Sequence, residues 1–119
     1  MSFRNLTVDS DFNIKLVRGD TAVFEVPLVS VDDEGEETPY TPQEGETLRF
    51  ALSNKYGATR DEVLILKDIP ISTLVLKLEP ADTKNLPFGK YKYDIEFTDA
   101  LGAVTTVLEA IFEVAKEVY

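Results

Sequence analysis

Residues 74–97, LVLKLEPADTKNLPFGKYKYDIEF, are the stretch on which the fold turns. Leu74, Leu76 and Leu78 alternate with Val75, Lys77 and Glu79, the two-residue period of a strand with one buried face. Pro80 ends that strand and suits the first position of a helical turn, which the run Glu79 to Lys84 is expected to form. After Gly89 the period of two returns, with Tyr91, Tyr93, Ile95 and Phe97 on one face and Lys90, Lys92, Asp94 and Glu96 on the other. A tyrosine opening a strand after such a crossover can donate its hydroxyl back to the crossover backbone, the corner of immunoglobulin-like sandwiches. Tyr91 is placed in that role. Asp82 and Thr83 are expected to cap the turn, Leu86 to plug the end of the core, and Gly89 to release the chain into the next strand.

The same alternation runs outward in both directions. Upstream, Phe12, Ile14 and Leu16 share a face before a turn at Arg18-Gly19-Asp20; this tripeptide is read as turn chemistry, not as a recognition motif. Ala22, Phe24, Val26 and Leu28 follow, with Val23, Glu25, Pro27 and Val29 opposite, and Pro27 predicts an edge or a bulge. Leu48, Phe50 and Leu52 alternate with Arg49, Ala51 and Ser53, and residues 63–67 read as a short, continuously apolar strand. Downstream, Val104, Thr106, Leu108, Ala110, Phe112 and Val114 are expected on one face of the last strand. Ala103, Thr105, Val107, Glu109 and Ile111 fall on the other, with one charge among them. These seven strands predict an all-β fold, an immunoglobulin-like antiparallel β-sandwich over residues 12–119 preceded by an arm at 1–11. No internal repeat interrupts it.

The least regular stretch is 31–47. It carries Asp32, Asp33, Glu34, Glu36, Glu37, Glu44 and Glu46 and no base. A mobile acidic hairpin with its tip at Asp33 to Glu36 is expected there, followed by an extended segment from which Tyr40 tucks inward. A second turn, Asp99 to Gly102, joins the last two strands.

Composition narrows the function. The 119 residues suit one domain, and 44% hydrophobic with 29% charged residues is globular. Twelve basic against twenty-two acidic residues give a net charge of −10, which repels phosphate backbones and anionic membranes, so neither nucleic acid nor membrane is an expected partner. With no histidine and no cysteine, the commonest general base and the strongest nucleophile are missing, and no catalytic residue is assigned. The acidic hairpin lacks the spacing of a calcium loop, so no metal and no cofactor is assigned either. The first residues carry no apolar stretch of a signal peptide, so synthesis and retention in the cytoplasm are expected. Exposed aromatics, Tyr56 in its loop and Tyr119 at the end, and the outward side of the last strand (Val107, Glu109, Ile111) are the candidate contact residues.

Taken together, Leu16 to Thr21, then Pro80, Asp82, Thr83, Leu86, Gly89, Tyr91, Tyr93, Asp94 and Ile95, then Gly102 to Phe112, make the chain similar to small structural proteins of tailed phages and prophages of Gram-positive bacteria. Among these it resembles the N-terminal domain of baseplate upper proteins. The resemblance spans about residues 12–114 and implies a non-enzymatic, tail-associated protein that ends up in the virion after synthesis in a bacterial host. Its implied partners are other tail or baseplate proteins, or another copy of itself. The alternatives from different classes are a carbohydrate- or host-surface-binding module, contacting through Tyr56 and neighbouring loops, and an enzyme accessory domain.

Overall fold

In a computed structural model, which describes residues 5–8 by their backbone and 13–116 in full, the chain is all-β. Its strands are β1 (Asn5–Val8), β2 (Ile14–Val17), β3 (Ala22–Glu25), β4 (Leu28–Val31), β5 (Glu37–Pro39), β6 (Thr47–Ser53), β7 (Ile65–Ile69), β8 (Val75–Leu78), β9 (Gly89–Thr98) and β10 (Val104–Ala115). An α-helical turn, α1 (Pro80–Thr83), lies within the expected run 79–84, and a 3₁₀ turn covers Arg60–Glu62. Phe12 and Tyr119, and so the first residue of the first expected strand and the terminal aromatic, lie outside the described residues.

Three sheets form. The largest has the order β2-β10-β9-β6-β7, with β2 parallel to β10 and the other pairs antiparallel. β3 and β8 make a two-stranded ladder, and β1, β4 and β5 a three-stranded one. The inward residues of the five-stranded sheet and of β8 join in one core, against which Ala22 and Phe24 of β3 also pack. Burying alternate side chains from two sheets against one another is what the period of two in the sequence demands. At its centre Phe50, Tyr93 and Phe112 meet, with ring centroids 5.2–6.3 Å apart in tilted and edge-on arrangements, the geometries that a ring quadrupole favours.

Four expectations are corrected. The strand read as 22–29 breaks at Pro27: β3 pairs with β8, whereas β4 pairs with β1 and β5, so the chain changes sheets there. Pro27 has no N–H to continue a ladder, and the break shifts the phase so that both Leu28 and Val29 are buried. The strand read as 63–67 begins two residues later, at Ile65. The preceding Thr59–Glu62 segment is held by its own capping bonds, with Thr59 N–H donating to Glu62 Oε1 at 2.9 Å. β7 is an edge strand with Ile65 and Ile69 buried and Leu66 half exposed.

The other two corrections concern Glu46 and the last strand. The hairpin expected within 31–47 is present: β4 and β5 run antiparallel, and Asp32 Oδ1 accepts the N–H groups of Glu34 and Glu36 at 2.9 Å each, closing the tip. Tyr40 packs edge-on against Phe97 at 5.9 Å, and its hydroxyl donates to Glu46 Oε1 at 2.6 Å. Glu46 is therefore a buried, hydrogen-bonded acid and not part of a solvated charge run. Gly45 turns the chain beside it with φ +88°, and a Cβ there would meet that of Ala100 at 3.3 Å. In β10 the register with β9 slips between Thr106 and Leu108, both sides of which pair with consecutive residues Glu96 and Ile95. Val107 is the extra residue of a bulge, so Val107 and Leu108 both lean toward the core instead of alternating.

Candidate binding surface

The crossover from β8 to β9 is built from the residues singled out in the sequence. The Tyr91 hydroxyl donates to the Pro87 carbonyl, four residues back, at 2.6 Å. Burial pushes the Tyr91 phenol above its ordinary pKa, so it remains a donor. Asp82 Oδ2 accepts the Glu79 N–H at 2.7 Å and lies 2.9 Å from Lys67 Nζ, tying the turn to β7. Thr83, fully buried, accepts the Gly19 N–H at 2.9 Å across 64 residues of sequence, which locks the Arg18–Asp20 turn onto α1. Leu86 is buried in the core, and Gly89 has φ +147°, a backbone that L side chains rarely adopt. This end of the fold is a clamp made of hydrogen bonds, and no ligand group is needed to explain it.

The surface residues divide. Tyr56 and Glu109 come together on the outer face of the five-stranded sheet and Ile111 lies apart from them toward β2, whereas Val107 is only 5% exposed and belongs to the core. Val107 is thus withdrawn as a contact residue, because the bulge turned it inward. Ile111 is half-buried beside β2, with its N–H donating to Asn13 Oδ1 at 2.9 Å. On its side away from β9, β10 is paired with β2 from Phe112 to Ala115.

Tyr56 stands on a loop that is itself pinned. Ser53 Oγ donates to the Glu62 carbonyl at 2.9 Å, and Lys55 Nζ lies 2.6 Å from Glu62 Oε2. The Lys55 bond, and then the Thr59 donors, draw the Glu62 carboxyl down to about 2. From this loop Tyr56 reaches across β9, and its hydroxyl donates to the Ala110 carbonyl at 3.2 Å, leaving the residue 45% exposed. Lys92 Nζ lies 6.0 Å from the ring centroid.

Beside the ring runs a groove of about 230 Å³, lined by residues that include Arg49, Ala51, Lys92, Asp94 and Glu96. Arg49 and Glu96 are paired across β6 and β9 at 2.6 Å. Asp94 faces Glu109 across the β9–β10 ladder. Partial burial, then the negative charges of Glu96 and Glu109, push its carboxyl above the usual range, with Arg49 opposing. No family model matches this chain, and no curated protein matches it. Among the described residues no group of three or more acidic side chains converges on a metal position, and no helix is long and apolar enough to cross a membrane.

Sequence reasoning found Tyr56 but not the groove. The outward Lys92, Asp94 and Glu96 were legible as the solvent side of a strand, and Arg49 likewise. That β9 lies between β6 and β10, bringing these charges under Tyr56, is a property of strand order.

Proposed function

We propose that this chain is a non-enzymatic structural module of a phage or prophage tail, an immunoglobulin-like β-sandwich that docks other tail or baseplate proteins. The order β2-β10-β9-β6-β7 against a β3–β8 pair, with a tyrosine corner at the crossover into β9, supports the immunoglobulin-like reading. The stretch from Pro80 to Ile95 supports the tail assignment through its resemblance to phage structural proteins.

The observation that carries docking is the β7 edge. Its outer backbone side pairs with no strand among the described residues, and Leu64 and Leu66 are 43% and 50% exposed beside it. Open edges with apolar side chains invite strand pairing by a partner. The sequence lacks histidine and cysteine, the commonest general base and the strongest nucleophile, which supports a module that works by contact. Binding of purified tail proteins encoded beside this gene, followed by calorimetry, tests the reading. Association that Leu66→Lys weakens at least tenfold is expected; neighbours that are not tail genes, or tail proteins that do not bind, refute it.

A further inference from the structure

The groove under Tyr56 has a chemistry of its own, independent of the β7 edge. Its aromatic ring is held at both ends: the loop behind it is tied down by Ser53 and Glu62, and its hydroxyl is tied to the Ala110 carbonyl. A ring so fixed presents an apolar face at little entropic cost, since few rotamers remain to be frozen on binding. Around it stand donors and acceptors of both signs, Lys92 and Arg49 against Asp94, Glu96 and Glu109. The Arg49–Glu96 ion pair cancels much of the local field.

We propose that this groove is a subsite for one neutral sugar ring, stacked on Tyr56 and hydrogen-bonded through its hydroxyls to Asp94 and Lys92. A pyranose has an apolar C–H face and a rim of hydroxyls that both donate and accept, which matches a fixed aromatic ring bordered by a carboxylate and an ammonium. An anionic ligand would meet Asp94, Glu96 and Glu109, and a cationic one Arg49 and Lys92. The volume, about 230 Å³, falls below the roughly 300–1,000 Å³ of sites for drug-sized ligands, so it suits one ring of a longer glycan. Asp94 gains most: its carboxylate is partly desolvated and repelled by two other acids, and sugar hydroxyls supply the donors that such a group lacks.

Titration of the ¹⁵N-labelled chain with the methyl glycosides of glucose, galactose, mannose, rhamnose and N-acetylglucosamine tests this. At least one should give saturable amide shifts over residues 49–58 and 92–96, with a dissociation constant in the millimolar range that roughly a dozen ligand atoms can support. Tyr56→Ala should weaken it by about tenfold and Asp94→Asn by about fivefold, while Tyr56→Phe, which keeps the ring, should lose about threefold or less. Phe88→Ala, at the opposite end of β9, should bind as the unaltered chain does. Folding of each variant is checked by its amide spectrum, and Asp94→Asn, which conserves shape, keeps the test valid if Tyr56→Ala unfolds. The proposal is overturned if no neutral glycoside gives saturable shifts, if the shifts lie elsewhere, or if Tyr56→Ala binds unchanged. Tighter binding of glucosamine or sialic acid would overturn the neutral assignment.

Discussion

Replacing Tyr91 by Phe deletes one oxygen from a buried corner and leaves everything else in place. That oxygen donates to the Pro87 carbonyl at 2.6 Å, and Tyr91 is 5% exposed, so water has little access to replace it. A buried acceptor stripped of its donor costs roughly 1–3 kcal/mol, more than the net worth of an average hydrogen bond. With an m-value of about 1.5 kcal/mol/M in urea, the unfolding midpoint should fall by about 0.7–2 M with m unchanged. A second readout tests the burial of that hydroxyl. Burial raises the Tyr91 pKa in the folded state, whereas in the unfolded chain a tyrosine ionises near 10. The folded protein therefore holds a proton that the unfolded chain releases. The stability linked to it is complete below about pH 10 and is lost as the pH climbs above that value. Urea titrations at neutral pH and again above pH 10 should show Tyr91→Phe closer to the parent at the higher pH. Equal midpoints at neutral pH would refute the corner as a stabilising bond, and a gap that does not narrow would refute the burial of its hydroxyl.

Thr83→Val should cost about 1 kcal/mol, because the half-buried Gly19 N–H loses its acceptor, the hydroxyl of the buried Thr83; a denaturation midpoint within error of the parent would argue against the clamp. Val107→Lys should destabilise the fold by several kcal/mol, on the order of 3, by placing an ammonium in the core. Ile111→Lys, on a half-buried site, should cost about 1 kcal/mol or less; equal thermal shifts for the two would undo the bulge assignment. Calcium in excess should raise the melting temperature no more than magnesium at equal ionic strength, since Asp32 Oδ1 is engaged by the Glu34 and Glu36 amides and among the described residues no group of three acids converges on a metal position. A saturable calcium-only rise of several degrees would contradict that, because a ligand bound only by the folded state stabilises it.

Much of this molecule is readable from alternation alone. The strand faces of 48–53 and 90–97, the helical turn after Glu79, the hairpin tip near Gly35 and the inward turn of Tyr40 all follow from local rules. Period, proline geometry and turn chemistry act over a few residues, and a few residues of sequence hold them. The Tyr91 corner belongs with them, since donor and acceptor lie four residues apart.

What the sequence could not decide is whatever depends on a partner far along the chain. The inward turn of Val107 comes from a register slip against β9, which no periodicity in residues 104–114 announces. The break at Pro27 reads locally as an interruption, but its result, a change of sheet from β8 to β1 and β5, depends on segments tens of residues away. Glu46 looks like one more surface acid until Tyr40 is folded over it. The groove is the clearest case: Arg49, Tyr56, Asp94 and Glu109 are spread over 61 residues and meet only because β9 lies between β6 and β10. Strand order is settled by how two sheets bury their apolar faces together, a sum over the whole core, and it is this sum that places the surface chemistry.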